Sequence, residues 1–193
     1  MQHGTRRTGL AAIPLLFCIL LGSPLSAQAS PNAQAVASAH PMATAAGHQI
    51  LDQGGNAFDA AVAVAATLGV VEPYSSGLGG GGFFLLRQHA QPAAEYVFLD
   101  ARETAPLKAD RDFYRDSKGE VQRDPAINGP RAAGIPGLPA ALVALSVQYG
   151  NLPLGESLQP AIEAAEQGFA VTSRYRALGS FRLEAMRADA ETS

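Results

Sequence analysis

The residues whose spacing could do chemistry cluster in one stretch. Gly77-Leu78-Gly79-Gly80-Gly81-Gly82 satisfies G-x-G-x-x-G, and Asp100 lies 18 residues past Gly82, the outline of a dinucleotide site. That site requires a strand before the glycines and a helix after them, so that the pyrophosphate meets a helix N-terminus. Here the apolar run before the glycines is helical and the one after them is a strand. The order is inverted, and the segment reads as a turn pressed close by other backbone. Glycine in regular structure costs roughly 0.5–1 kcal/mol per residue, so four in a row call for something packed against them.

Arg102 is the candidate that the turn would serve. If Phe83 pairs near Asp100, the glycines and Ala101-Arg102-Glu103 emerge at the same end of a hairpin. Adjacent strands lie about 4.8 Å apart, which sets Arg102 beside the bare backbone. A guanidinium there suits a two-point grip on a carboxylate. The competing reading is an internal ion pair with Asp100 or Glu103. Other candidates carry less. His48 and Asp52 are four apart on one helix and could share a metal, but no third ligand accompanies them. His40 reads as a helix-entry residue, His89 as part of a hairpin loop, and Glu163 with Glu166 as a solvated polar face. Neither G-x-S-x-G nor H-E-x-x-H occurs. On its own residues the chain offers a binding feature, no nucleophile, no metal site and no cofactor site.

The elements that must position Arg102 can be read from periodicity. His40-Pro41 opens a helix through Ile50 that stops at Gly54-Gly55, proline being harmless at a helix start. Asn56 caps a second helix over residues 57–71, with Asp59 in its first turn where negative charge is favoured. That run is apolar all round and rich in alanine, which predicts a buried helix approached closely by its neighbours. Residues 83–87 and 96–99 read as strands buried on both faces, joined as an antiparallel hairpin across a polar loop. Residues 110–129 read as loop with one helical turn near Phe113. A helix follows Gly134-Ile135-Pro136-Gly137, with Leu138, Leu142, Leu145 and Tyr149 inward and Gly150 as its stop. Another covers 157–167, with Leu158, Ile162 and Ala165 inward. A last helix carries Leu178, Phe181 and Ala185 at helical spacing. Two strands fall short of a complete sheet domain.

The 193 residues, 47% apolar and 16% charged with net charge −3, suit one ordinary domain. No run of Lys and Arg is present, which argues against nucleic acid or an anionic membrane as partner. Arg6-Arg7, the apolar run 10–21 and Ala27-Gln28-Ala29 read as a secretory signal peptide over residues 1–29. The apolar run is too short for a stable membrane anchor, since about 20 residues are needed to span. Residues 30–39, small, polar and aperiodic, read as a flexible tether. Cleavage would remove the only cysteine, Cys18, and with Arg6 and Arg7 would take the net charge from −3 to −5. The expected location is periplasmic or secreted.

The ordered set of motifs resembles the γ-glutamyltransferases (γ-glutamyl transpeptidase, glutathione hydrolase). The likeness rests on His40-Pro41-Met42-Ala43-Thr44, Gly54-Gly55-Asn56-Ala57-Phe58-Asp59-Ala60-Ala61 and Ser76-Gly77-Leu78-Gly79-Gly80-Gly81-Gly82-Phe83. It continues through Asp100-Ala101-Arg102-Glu103-Thr104-Ala105-Pro106, Gly134-Ile135-Pro136-Gly137 and Leu158-Gln159-Pro160 to Gly168-Phe169. The resemblance implies an α+β fold, the four-layer αββα sandwich of the N-terminal nucleophile hydrolases, here its incomplete N-terminal portion. It implies that residues 40–193 belong to the large subunit of an exported precursor that cleaves itself into large and small subunits.

In that family a threonine freed at the start of the small subunit attacks a γ-glutamyl amide such as glutathione. The acyl-enzyme is then resolved by water or by an amino acid. No cofactor is implied. Arg102 matches the arginine that grips the glutamyl α-carboxylate. The nucleophile's Thr-Thr-His-like context is not found around Thr44, Thr67, Thr104, Thr172 or Thr192, so no catalytic residue is assigned in this chain, which is expected to be inactive alone. Two alternatives accompany this reading: a glutaryl or cephalosporin acylase, and an inactive exported fragment.

Overall fold

The computed structural model describes residues 34–89 and 92–188. The signal-peptide expectation and residues 30–33 of the expected tether lie outside them. Within them the chain is α+β, as expected: α1 (Pro41–Asp52), α2 (Ala57–Val71), a hairpin of β1 (Gly82–Gln88) and β2 (Glu95–Ala101), α3 (Leu138–Tyr149), α4 (Leu154–Gln167) and α5 (Ser173–Arg187). Two short 3₁₀ turns, Asp124–Ala126 and Pro130–Ala132, interrupt the loop before α3.

The central element is α2, packed by α1, α3 and α4. Its start is fixed by a capping box: the Asn56 side chain accepts from the backbone N–H of Phe58 (2.8 Å) and Asp59 (3.2 Å), and Asp59 accepts from Asn56 N–H (2.8 Å). Asp59 is fully buried, and it also accepts from the backbone N–H of Asn151 (2.9 Å) and Leu152 (3.4 Å). Asn56 Nδ2 donates to the Tyr149 carbonyl at 2.6 Å. One cap thus ties the start of α2 to the α3–α4 connection.

The main core joins Val62 and Ala66 of α2, Leu86 of β1, Leu138, Leu142 and Leu145 of α3, and Ala161 of α4. A second cluster, Ala46, Ile50 and Ala63, seals α1 against α2. The N-terminal end of the described chain lies beside this pair. A Cβ at Gly47 would stand 2.8 Å from Val36 and 2.9 Å from Val64. The Ser38 hydroxyl donates to the His40 carbonyl at 2.9 Å and shares a hydrogen bond with Thr44 at 2.8 Å.

The structure departs from the sequence reading in two places. The strands are not buried on both faces: Phe84, Leu86, Val97 and Leu99 turn to the core, while Phe83, Leu85, Tyr96 and Phe98 are 56–73% exposed. In α4 the start is Leu154 rather than Ser157, and Ser157, Pro160, Ala161 and Ala164 face inward. Leu158 packs against the core as expected, but Ile162 and Ala165 are exposed. The reason is steric: α2 presents alanines, and the side of α4 that fits closely against them is its smallest one. No residue of α5 is buried.

Candidate substrate-binding turn

The hairpin register sets the geometry. Gly82 stands opposite Ala101 and Phe83 opposite Asp100, so the glycine segment and residues 101–104 leave the sheet at one end. Gly80 N–H donates to the Gly77 carbonyl at 3.0 Å and tightens the turn. The Gly80 carbonyl then accepts from the N–H groups of both Gly137 and Leu138, each at 3.1 Å, at the start of α3. Those are donors a helix leaves free at its N-terminus. They are used internally, and the glycines run into a strand, so the arrangement lacks the phosphate cradle that G-x-G-x-x-G would need.

Two glycines press on one carbonyl. A Cβ at Gly81 would collide with the Ala101 oxygen and come within 2.8 Å of Glu103 N; a Cβ at Gly137 would collide with the same oxygen from another direction. Backbone therefore clamps the residue before Arg102 on two sides. A third tie follows immediately, where Thr104 and Ile135 exchange N–H···O bonds of 3.2 and 2.8 Å. The Gly77–Gly82 run signals one half of this clamp in the sequence. The other half, Gly137, is marked there as a helix start and as part of a motif, but nothing in the sequence signals its contact with Ala101.

Arg102 projects from this clamp with its side chain 69% exposed. Its own N–H is held by Asp100 Oδ1 at 2.9 Å. Its Nε lies 3.3 Å from Glu103 Oε2, so of the two internal partners that the sequence offers, Glu103 takes the guanidinium and Asp100 takes the backbone. The other guanidinium nitrogens make no hydrogen bond among the described residues. Beside the pair lies an open groove of about 450 Å³ lined by Glu103, Thr104, Pro106, Phe113, Tyr114 and Ala133.

The remaining candidates are not brought to this turn. His40 is the N-cap of α1, its Nδ1 accepting from Met42 N–H at 3.2 Å. His48 and Asp52 lie on α1, and no metal-competent group of three ligands occurs among the described residues. Glu163 accepts from Gln159 at 3.2 Å on α4. Of the threonines, Thr44 pairs with Ser38, Thr67 is buried in α2, Thr104 sits in the bridge to Ile135, and Thr172 caps α5. Thr192 lies outside the described residues.

Comparison with known proteins gives the family and the fold. Residues 43–193 match the sequence profile of the family described as Gamma-glutamyltranspeptidase. The "Glutathione hydrolase proenzyme" of Pseudomonas aeruginosa is 40% identical over 168 residues, covering 83% of this chain and 29% of that protein. The "Acylase ACY 1 proenzyme" of Pseudomonas sp. (strain V22) is 43% identical, covering 71% of this chain and 25% of its own length. The crystal structure of Helicobacter pylori gamma-glutamyltranspeptidase superposes with a TM-score of 0.76 at 37% identity, over 83% of this chain and 46% of that one. The chain thus spans under a third of the curated relatives it matches. With the profile running through both walls of the turn and the fold superposing around it, the chain belongs to the γ-glutamyltranspeptidase family.

Proposed function

We propose that this chain is the N-terminal portion of the large subunit of an exported enzyme, periplasmic or secreted, that hydrolyses or transfers γ-glutamyl groups of glutathione-like amides. Arg102 receives the α-carboxylate of the glutamyl group. The acyl-enzyme forms on a threonine of the small subunit, outside these residues, and residues 1–29 direct export. Support comes from relatives described as glutathione hydrolase proenzymes, a wording that fits a precursor matured by cleavage. The single observation that carries the reading is the position of Arg102: clamped backbone on one side, exposed guanidinium on the other.

The energetics favour exchange of partners. An exposed ion pair such as Arg102–Glu103 is worth about 0–1 kcal/mol. A charge-assisted hydrogen bond to a substrate carboxylate is worth about 1.5–3 kcal/mol when water is excluded. The substrate therefore competes successfully for the guanidinium, and it can do so without moving the backbone.

The test is made in a precursor that carries this segment together with its small subunit. Arg102→Ala should raise KM for a γ-glutamyl anilide by about 10- to 150-fold, the equivalent of 1.5–3 kcal/mol. Arg102→Lys should recover only part of this, because an ammonium lacks the two-point fork. An unchanged KM in both variants would remove Arg102 from the site.

A second reading is favoured by the 43% identity to an acylase proenzyme. A glutaryl group keeps the terminal carboxylate and lacks only the α-amino group of a glutamyl one, so Arg102 would grip either, and the choice falls to whatever receives the ammonium. Hydrolysis of paired glutamyl and glutaryl anilides separates the two: preference for the glutaryl substrate selects the acylase, and Arg102→Ala should raise KM for either one.

A further inference from the structure

A second groove, of about 410 Å³, opens where the entrance of α1, the turn after α2 and the entrance of α5 meet. It shares no lining residue with the turn that carries Arg102. Its lining includes the polar residues His40, Glu72, Tyr74, Thr172 and Arg174 and an apolar wall with Pro41, Met42 and Ala170.

The charges in it are placed against the local fields. Glu72 is the C-cap of α2, where the helix dipole disfavours an anion, and Arg174 is in the first turn of α5, where it disfavours a cation. Neither charge has an ion-pair or hydrogen-bond partner for its side chain among the described residues, and they are not within ion-pairing distance of each other. Two opposite charges, each on the unfavourable end of its helix, flank one opening without closing it. His40 adds a donor. Its ring is buried with Nδ1 engaged by Met42 N–H, so the neutral imidazole carries its proton on Nε2, which has no partner among the described residues.

The start of α5, which carries Arg174, is held in place by its neighbours. Thr172 caps α5 by accepting from Tyr175 N–H at 3.1 Å. The Tyr175 ring meets Tyr74 at 5.6 Å and Phe169 at 5.8 Å, both edge-on. This aromatic trio fixes the entrance of α5 against the turn that follows Glu72, although the rest of α5 buries nothing.

The geometry points to a binding site for a free α-amino acid with an apolar side chain. A simple anion would be repelled by Glu72 and a simple cation by Arg174. A zwitterion satisfies both, its carboxylate on Arg174 and the His40 Nε2–H, its ammonium on Glu72. Pro41, Met42 and Ala170 would then take the side chain. The inference does not depend on the role proposed for Arg102.

The test uses the 193-residue chain with L-leucine and L-methionine as probes, and isovalerate and isoamylamine as analogues bearing one charge each. Binding is read by saturation-transfer NMR and calorimetry. Saturable binding of the amino acids in the range of about 0.01–5 mM is expected, with both analogues at least about tenfold weaker. Glu72→Gln and Arg174→Gln should each weaken binding about tenfold or more, without lowering the thermal midpoint, since each removes a charge from the unfavourable end of its helix. The exchanged pair Glu72→Arg with Arg174→Glu should bind better than either single variant. Lys118→Ala, exposed and outside both grooves, should leave binding unaltered. Absence of saturation, equal binding of either analogue, or insensitivity to either charge would overturn the proposal. Loss of binding in Arg102→Ala alone would also overturn it and would place the amino acid at Arg102 instead.

Discussion

At the scale of the residue, the carbonyl of Ala101 is the fixed point of the glycine turn, and the absence of two side chains is what allows it. Gly81 and Gly137 approach that oxygen from different directions, and neither has a positive φ, so the requirement is for space rather than for unusual backbone. Gly82, one residue along, has nothing within 4 Å of its would-be Cβ. Gly137→Ala and Gly81→Ala should therefore each destabilise by about 1–3 kcal/mol, because the obstacle is backbone and cannot rotate aside. Gly82→Ala should cost less than about 1 kcal/mol. Urea unfolding of the three variants checks this, and an equal loss at all three positions would mean that the clamp is not what holds Arg102. The need for tight packing on the glycines is legible in the sequence, since four in a row are too costly to keep without a close neighbour. Gly137 as the second jaw is not legible, because that contact joins segments brought together only by the fold. Asp59 illustrates the same limit. Its place in the cap of α2 is readable three residues from Asn56, whereas its reach to Asn151 and Leu152 is not.

At the scale of the element, caps and periodicity suffice where one helix face decides the outcome, and fail where two elements compete for a fit. The entrance of α1 is legible because His40-Pro41 supplies both an acceptor and a residue that loses nothing at a helix start. Its cap is a single bond from Met42 N–H to the His40 imidazole. His40→Ala should cost about 0.5–2 kcal/mol, and His40→Asn, which keeps an acceptor at the cap, should restore most of it. Thermal unfolding of the pair decides: if both variants lose equally, burial of the ring rather than the cap supports α1. The orientation of α4 escapes the sequence for a different reason. Hydrophobicity favours Ile162 as the inward residue, but the alanines of α2 admit only a low-profile face, so Ala161 and Ala164 lie inside with Pro160. Complementarity of shape is a property of two helices and is invisible in either sequence segment alone.

At the scale of the whole molecule, the unusual feature is a hairpin with an apolar face on each side and a core on only one. Phe83 and Phe98 stack at 5.7 Å on the open side, beside Leu85 and Tyr96. Both outer edges of the two-stranded sheet also lack a neighbour among the described residues. Contiguous apolar surface and unpaired strand edges favour association. The buried face is independent of this, since Phe84, Leu86, Val97 and Leu99 already pack on the helices. The 193-residue chain should therefore bind a hydrophobic dye and self-associate as its concentration rises through about 100 µM. Leu85→Lys combined with Phe98→Lys should suppress both effects, and should shift the thermal midpoint by no more than a few degrees, as exposed substitutions do. Analytical ultracentrifugation with a parallel melting curve reads both quantities. A large fall in the midpoint would show that the open face contributes to the core, and a wild-type chain that stays monomeric and dye-free would show that this face needs no cover. In a precursor with the sandwich implied by family likeness, the same two lysines would instead be buried against a second layer, and should block folding outright.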